Sequence, residues 1–412
     1  MSEDGNPSPV RAEPVGAVPP PAFEQTKSKV EPFGDGFKIT LYSPYIRVEL
    51  LTYGASVNSV RVRDPYKPAE DPSSWLEVCL GFISPEELKN TLAPRGSTRG
   101  RFAGRIADGE FTLNHSNYKL LQNCGGHTLH GGPQGFDKHQ WKYIVTEGEE
   151  EIGVSFHLTS PHLDQGFPGE LFVTTTYTIC KNSTVAALKY VHQASLSDNT
   201  PVQATVVNLT NNTFWNLNGV PRPIRTEMKS AVPSLITNHC LQVPAKHVAV
   251  MTEDFVLKGE MSETTRTVND YNEMRPIING MLDTEEMGRD PWGYDDTIAL
   301  DTWDATLREA ATLYSPDTQL QMRISTTNPV VTVYTANALP KDADGTFGKR
   351  FQRHSGVALM CQYFPNSPNV PSFPSTVLNK GETYQETTVH EFQFLSAKPV
   401  LHATPPPMAT AP

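Results

Sequence analysis

Residues 96–141, GSTRGRFAGRIADGEFTLNHSNYKLLQNCGGHTLHGGPQGFDKHQW, combine arginines, histidines, two Gly-Gly pairs and a closing tryptophan in a short span. Glycine lets a backbone turn sharply or approach a ligand closely, and Arg101 and Arg105 are permanent cations with several hydrogen-bond donors each. His130 precedes Gly131-Gly132, so a tight turn could present its imidazole. The pattern fits a polar-ligand site on loops between strands. It fits an ordinary scaffold of β-hairpins equally well, because hairpins also use glycines and polar turn residues.

The composition argues against several classes of protein. The net charge is −11, from 34 basic and 45 acidic residues, and no basic cluster stands out, so neither nucleic acid nor an anionic membrane is an expected partner. No stretch approaches the roughly 20 apolar residues of a transmembrane helix, and the acidic, proline-rich N-terminus lacks a signal-peptide pattern. Five scattered cysteines indicate buried thiols in a reducing compartment rather than a disulfide framework. We therefore expect a cytoplasmic protein.

The chain is expected to form one large domain between two tails. Residues 1–32 and 397–412 are proline-rich without periodicity, which predicts disorder. Between them, residues 33–396 contain many short alternating segments such as LFVTTTYTIC at 171–180, separated by turn residues. This pattern predicts an all-β fold, a large antiparallel β-sandwich with few short helices. One helix is expected to start in SPEELKN at 84–90, a loop is expected at 280–292, and Gly54-Ala55 indicates a bulge or a close approach.

The opening stretch also carries a resemblance to a known family. GRFAGRIADGEFTLN at 100–114 and HTLHGGPQGFDKHQW at 127–141 are similar to the signature of the aldose 1-epimerase (galactose mutarotase) family. That signature is roughly G-R-V-A-N-R-I-A-x-G-x-F, followed by L-H-G-G and G-F-D-K-x-x-W. The similarity continues through GASV at 54–57, NLTNNTFWNL at 208–217, WGYDD at 292–296 and ALMCQYFPNSPN at 358–369. It implies the family's supersandwich of antiparallel sheets over residues 33–396.

The resemblance also implies a reaction, the interconversion of the α and β anomers of a free sugar such as galactose or glucose, without a cofactor. A base takes the proton of the anomeric hydroxyl while an acid protonates the ring oxygen, which requires groups on both sides of the anomeric carbon. The family uses a glutamate and a histidine for these roles. Its other sugar-holding motif positions fall on Arg105, His130 and Asp295, so a hexose is the expected partner.

Three positions depart from the family pattern. Gly104 replaces the Asn before Arg105, Asn212 occupies the position of the acid, and Met360 occupies the position of the base. An amide does not titrate near neutral pH, and a thioether is an apolar filler without a proton-accepting group. We therefore expect mutarotase activity to be weakened or lost, which leaves a carbohydrate-binding protein. No metal site is expected, since HTLH and the Asp295-Asp296 pair match no known structural spacing.

Two alternatives stay open. Paired carboxylates can raise one pKa, so Asp296 could act as a relocated base, with His127 as the acid, in an active hexose mutarotase. Alternatively, Met360 and the Phe214-Trp215 pair make the pocket less polar and more aromatic, which suits a non-sugar ligand or a protein partner. The sequence determines neither the sugar nor whether the protein is a monomer or a dimer.

Overall fold

The computed structural model describes residues 27–68, 70–89, 95–181, 183–220, 234–301, 303–339 and 351–396. These residues form three large sheets and four two-stranded ribbons, and the strand pairs in them are antiparallel. The all-β prediction is therefore confirmed.

The sheets differ in size and order. The first is a meander of five strands, β1 (Lys27–Phe33), β2 (Gly36–Tyr42), β3 (Ile46–Leu51), β4 (Ser56–Arg63) and β5 (Trp75–Glu77). The second has nine strands in the spatial order β11 (Lys142–Glu147), β12 (Glu151–Ser160), β13 (Leu171–Cys180), β14 (Ala186–Leu196), β28 (Tyr384–Phe394), β24 (Leu320–Thr326), β23 (Arg308–Tyr314), β18 (Cys240–Gln242) and β21 (Arg275–Pro276). The third has six strands in the order β17 (Phe214–Trp215), β26 (Val357–Gln362), β25 (Val330–Tyr334), β22 (Asp295–Ala299), β19 (His247–Met251) and β20 (Leu257–Glu263).

Short elements connect these sheets. The ribbons pair β6 (Thr98–Arg99) with β16 (Thr210–Asn211), β7 (Arg105–Ile106) with β10 (Thr128–Leu129), β8 (Glu110–Leu113) with β9 (Ser116–Lys119), and β15 (Ala204–Val206) with β27 (Val377–Asn379). Two α-helices lie in the described residues, α1 (Pro85–Lys89) and α2 (Ile277–Glu286). Single 3-10 turns occur at Pro72–Ser74, Ala107–Gly109, Phe136–Lys138, Asp164–Gly166, Ile236–Asn238 and Ser367–Asn369.

One hydrophobic core joins the three large sheets. Strands β13 and β14 bury every second side chain, as the two-residue period of a strand requires when one face is covered. Leu50 of the first sheet, Tyr177 of the second and Val333 of the third belong to the same buried cluster. The sheets therefore pack face to face as the predicted sandwich.

Strand β26 is the element that positions the site, because it is buried on both faces. Val357, Leu359 and Cys361 join the main core. Since side chains alternate along a strand, Ala358, Met360 and Gln362 point to the opposite face of the six-stranded sheet. The position that the family gives to its base therefore faces away from the core.

The structure corrects two expectations and confirms a third. Residues 27–32, expected in a disordered tail, pair with β2; β1 is an edge strand with exposed or half-buried side chains, so it lacks apolar periodicity. Residues 1–26 and 397–412 lie outside the described part.

The loop expected at 280–292 overlaps helix α2, whose buried residues have helical spacing: Ile277, Gly280, Met281 and Thr284. The sequence Asn279-Gly280 inside this helix resembles a turn signal. Helix α1 begins as predicted.

Two further observations concern the predicted cellular setting. All five cysteines are free, and Cys79, Cys240 and Cys361 are buried, whereas Cys124 and Cys180 are half-buried. None of the helices in the described residues is long and apolar enough to cross a membrane.

Gly54 and Ala55 form the turn between β3 and β4, both with positive φ, and an added Cβ on Gly54 would lie 3.0 Å from that of Ser97. The expected close approach is therefore present.

Candidate functional site

Arg105 and His130 are brought together by the ribbon of β7 and β10. Arg105 pairs with Leu129, and His130 follows with a left-handed φ of 54°. The Nδ1 atom of His130 accepts a hydrogen bond from the backbone N–H of Gly104 at 3.1 Å. The backbone N–H of His130 donates to the Gly104 carbonyl at 3.0 Å. Since Nδ1 is an acceptor, the proton of the neutral ring lies on Nε2, which is left as a hydrogen-bond donor.

The surroundings of His130 keep its imidazole neutral. Removal from water and the positive charges of Arg99, Arg105 and Lys138 hold its pKa well below the ordinary value. Desolvation and nearby cations both disfavour a protonated ring. His130 is therefore a neutral donor rather than a source of a readily released proton.

Asp295 lies opposite Arg105. The nearest Arg105 nitrogen, Nη1, is 3.8 Å from Oδ2 of Asp295. Removal from water is the main reason why the pKa of Asp295 is raised to about 6; the charge of Arg105 opposes the rise and the charge of Asp296 adds to it. Arg105 Nε is buried without a hydrogen-bond partner among the described residues. This polar corner, which comprises Arg105, His130 and Asp295, therefore offers a cation, a neutral donor and a carboxylate to a ligand.

Asp296 points the other way. It follows Asp295 on β22, so its side chain lies on the opposite face of the sheet. It is almost fully buried, and Arg289 donates to both of its oxygens, Nη1 to Oδ2 at 2.6 Å and Nη2 to Oδ1 at 3.0 Å. A carboxylate held in a bidentate ion pair away from Asp295 is better suited to support the fold than to replace the base. The geometry thus disfavours the hypothesis that Asp296 acts as a relocated base.

His127 is also occupied. Its Nδ1 accepts a hydrogen bond from the N–H of Asp108 at 3.0 Å, and its Nε2 lies 2.6 Å from Oδ2 of Asp254. With both ring nitrogens engaged by the protein, His127 has no free nitrogen to present to a ligand. The idea that it replaces the missing acid is disfavoured for this reason.

Met360 forms an apolar corner on the same sheet face as Asp295. Cross-strand pairing puts Phe214, Ala358, Tyr334 and Asp295 in one row across four strands. Met360 lies in the next row and packs in a buried cluster with Leu80 and Phe214. The apolar corner, defined as Leu80, Phe214 and Met360, therefore shares one surface with the polar corner and contains no titratable side chain.

A polar ladder continues from Met360 along this face. Thr332 is the cross-strand partner of Met360. Its hydroxyl lies 2.9 Å from that of Thr297 and accepts a hydrogen bond from Gln362 Nε2 at 2.8 Å. Gln362 Oε1 is buried without a partner among the described residues. Polar groups thus remain beside Met360, although Met360 itself cannot use them.

Asn212 is bonded to the segment that leads into β6. Its N–H donates to the Ser97 carbonyl at 3.2 Å, and its Oδ1 accepts from the Ser97 hydroxyl at 3.3 Å. Ser97 leads into β6, where Arg99 forms a buried ion pair with Asp137 and is one of the charges that act on His130. Asn212 is thus linked through β6 to the charges around His130, whereas Met360 lies on the sheet face of Asp295.

Two residues of the opening stretch have structural roles. Arg101 is buried, and its Nη1 donates to the carbonyls of Pro168 and Gly169 at 2.8 Å each, so it ties a loop to the sheet. For Arg101, these bonds favour the scaffold interpretation over the ligand-site interpretation. Gly104 has φ +80°, and an added Cβ would lie 2.5 Å from Pro365 Cγ. A side chain at residue 104 would therefore collide with Pro365 in this backbone arrangement.

Sequence reasoning missed two residues next to the polar corner. Tyr334 is the cross-strand partner of Asp295, and the alternation of VVTVY could have placed it on that face. Phe255 lies with its ring centroid 5.1 Å from Arg105 Cζ, but nothing in the local sequence TEDFV indicates this contact. In the described part of the chain, no group of three His, Cys, Asp or Glu side chains could hold a metal ion.

Comparison with known proteins identifies the family of the chain. The family model for aldose 1-epimerase matches residues 38–391. A galactose mutarotase from Sus scrofa is 32% identical over 351 residues, which cover 85% of this chain and 92% of the relative. An aldose 1-epimerase from Escherichia coli (strain K12) is 30% identical over 354 residues, which cover 85% of this chain and 92% of that relative.

Solved structures show the same fold. A galactose 1-epimerase from Lactobacillus acidophilus NCFM superposes with a TM-score of 0.73 at 21% identity, covering 90% of this chain and 99% of that one. An aldose epimerase homologue from C. elegans gives a TM-score of 0.69 at 21% identity, covering 90% and 100%. Together with the family match over most of the chain, these findings show that the protein belongs to the aldose 1-epimerase family.

Proposed function

We propose that this protein binds a free hexose, galactose or glucose, between its polar and apolar corners and that it accelerates anomer exchange only weakly or not at all. The family supports the sugar class, since its named relatives include galactose mutarotases. One observation carries the proposal on activity: Met360, at the position of the base, is buried in an apolar cluster on the same face as Asp295.

The expected loss of rate follows from the missing acid and base. A positioned acid or base contributes about 10²–10⁴-fold to the rate of a proton transfer. Met360 has no group that can give or accept a proton, and the Asn212 amide does not titrate near neutral pH. The binding groups Arg105, His130 and Asp295 are retained, so sugar affinity persists while the rate falls toward that of the spontaneous reaction.

The test compares the wild type with the double variant Asn212→His, Met360→Glu. Optical rotation of freshly dissolved α-D-galactose and α-D-glucose reports mutarotation directly, and calorimetry reports binding. We expect a nearly silent wild type that binds the sugar and a double variant at least about 100-fold faster. Each single reversion serves as a control and should recover less.

Two outcomes would contradict the proposal. A wild type that strongly accelerates mutarotation would show that the acid and base roles are filled by other groups. A protein that binds neither sugar but binds an apolar molecule tightly would show that the site has been adapted to a non-sugar ligand. In the second case the double reversion would also stay silent, because the rest of the site would no longer fit a hexose.

A second candidate is an active hexose mutarotase in which Asp295 acts as the base. A pKa of about 6 leaves its carboxylate mostly ionised at neutral pH and yet close to the optimum for a base. His130 Nε2–H would face the same region as a donor. Here the wild-type rate should rise through pH 6, and Asp295→Asn should abolish it; a flat pH profile would rule this candidate out.

We also propose that the protein acts in the cytoplasm. Five free cysteines, three of them buried, are typical of a reducing compartment. Fractionation of cells that express the tagged full chain would test this. Recovery of the protein in the medium or with membranes would contradict it.

A further inference from the structure

The loop between β19 and β20, Thr252–Val256, is built unusually tightly. Met251 and Leu257 pair at its base, the Thr252 N–H donates to the Val256 carbonyl at 2.9 Å, and the Phe255 N–H donates to the Thr252 carbonyl at 3.0 Å. Phe255 has a φ of 65°. A bulky residue rarely adopts this left-handed conformation, which persists only where the surroundings hold it. The contacts of the loop with the rest of the protein therefore need an explanation.

One contact joins this loop to the segment that carries Arg105. His127 Nε2 lies 2.6 Å from Asp254 Oδ2, and His127 Nδ1 accepts a hydrogen bond from the Asp108 N–H. Because Nδ1 is the acceptor, Nε2 holds the proton and donates it to the carboxylate. The Thr252 hydroxyl also donates to Asp254. His127 thus connects the 3-10 turn after Arg105 with the β19–β20 loop.

The second contact is made by Phe255 itself. Its ring centroid lies 5.1 Å from the guanidinium carbon of Arg105, within the range of a cation–π interaction. The hydrogen bonds of Arg105 do not explain its position, since Nη1 approaches Asp295 only to 3.8 Å and Nε has no partner in the described residues. The aromatic ring is therefore a second contact, besides Asp295, that orients this guanidinium.

We propose that the loop Thr252–Val256 is a wall of the hexose site, in which Phe255 positions Arg105 and the His127–Asp254 hydrogen bond latches the loop in place. The inference rests on the proposed binding of a hexose at the polar corner. It assigns Phe255, Asp254 and His127 as positioning residues for Arg105, and it explains why His127 is unavailable as an acid.

The test needs a readout that does not depend on sugar. Phenylglyoxal modifies exposed arginines, so mass spectrometry of the labelled full chain reports how accessible Arg105 is, with Arg289 as an internal standard held by Asp296. Phe255→Leu and Asp254→Ala should each speed the labelling of Arg105 about threefold to tenfold, as expected for the loss of an interaction of this size. Phe255→Tyr and Asp254→Asn keep the ring and the hydrogen-bond acceptor and should label like the wild type.

Calorimetric titration with D-galactose gives the second readout. Phe255→Leu and Asp254→Ala should weaken binding by a similar about threefold to tenfold, whereas the two conservative variants should not. Asp71→Ala is the matched control, because Asp71 also accepts a hydroxyl and an N–H, both from Ser73, in the connection between β4 and β5. It should change neither readout.

The outcomes separate this inference from the proposed function. Unchanged labelling of Arg105 in both Phe255→Leu and Asp254→Ala would overturn the inference, whatever the protein binds. Faster labelling in a protein whose wild type binds neither galactose nor glucose would support the positioning of Arg105 while rejecting the hexose. If Phe255→Tyr and Phe255→Leu lost the same amount of galactose affinity and labelled Arg105 equally fast, the loop would tolerate no change at residue 255. This result would contradict a specific role for the ring.

Discussion

The two corners of the site differ in what they retain from the family pattern. The polar corner keeps Arg105, His130 and Asp295, and its environment tunes them: His130 is held neutral, and the pKa of Asp295 is raised to about 6. The apolar corner has Met360 packed with Leu80 and Phe214, and Asn212, at the position of the acid, is bonded to Ser97. The comparison teaches that the positions which the family uses to hold a sugar and those which it uses to move protons lie in different surroundings, so a chain can keep the first set and lose the second.

The apolar corner is also the less costly arrangement for the fold. A carboxylate placed where Met360 lies would be removed from water and would need hydrogen bonds in compensation. Asp295 shows this cost, since its raised pKa means that burial disfavours its charged form. Active sites commonly trade stability for such groups. Replacing a buried acid or base with methionine or asparagine removes the cost at that position and the chemistry with it.

The largest effect is expected from Asp296, and it tests whether this carboxylate takes part in either corner. Asp296→Asn breaks the bidentate pair with Arg289 and leaves the arginine without its counter-ion. Urea unfolding should show a loss of about 3 kcal/mol of unfolding free energy, as is usual for broken buried pairs. Mutarotation and sugar affinity of the folded protein should stay as in the wild type. A selective loss of rate in a stable variant would instead restore Asp296 as a candidate base.

A smaller effect of opposite sign is expected from Asp295→Asn. The raised pKa of Asp295 means that the unfolded chain releases this proton first, so the wild type loses stability as pH rises between about 4 and 6. The rise from 3.8 to about 6 corresponds to at most about 3 kcal/mol. The variant should regain part of this at pH 7, because solvent reaches the carboxyl and screens its charge. Urea unfolding at pH 4 and pH 7 measures the difference.

The same variant sharpens the comparison through binding. Asn cannot accept charge-assisted hydrogen bonds from sugar hydroxyls, so galactose affinity should fall by about tenfold or more. Greater stability together with weaker binding would mark Asp295 as a functional group held at a cost to the fold. Unchanged affinity in calorimetry would remove Asp295 from the polar corner.

The smallest effect is expected from Gly104, the departure from the family pattern that directly precedes Arg105 of the polar corner. Gly104→Asn would bring its Cβ to 2.5 Å from Pro365 Cγ, and overpacking of this kind costs about 1–2 kcal/mol. Gly126→Asn is the matched control, because Gly126 has a similar φ of +88° and nothing within 4 Å of an added Cβ. If thermal unfolding shows equal losses for both variants, contact with Pro365 does not explain the glycine.

The sequence predicted the sheets well and the helices less well. Alternation in LFVTTTYTIC identified β13 to the residue, because a half-covered strand needs a two-residue period. Edge strand β1 was missed, since its side chains face solvent and need no apolar pattern. Helix α2 was missed because Asn279-Gly280 resembles a turn, although its buried positions have helical spacing.

Motif matching predicted the candidate site residues, and the structure shows which contacts each of them makes. Arg101 and Arg105 are alike in the sequence, but Arg101 is bonded to loop carbonyls and Arg105 faces Asp295. Asp295 and Asp296 are neighbours in the chain and lie on opposite faces of a sheet. Phe255 carries no signal at all, since its contact with Arg105 joins residues 150 positions apart.

By itself, the sequence determined the family, the sandwich of antiparallel sheets and the absence of a titratable group at positions 212 and 360, because side-chain chemistry and strand period are local properties. Only the tertiary structure decided which carboxylate faces Arg105, which histidine is occupied and which aromatic ring lies against Arg105. Burial, charge and hydrogen bonding at these residues depend on partners that are distant in the chain, and local sequence patterns do not predict which residues those partners are.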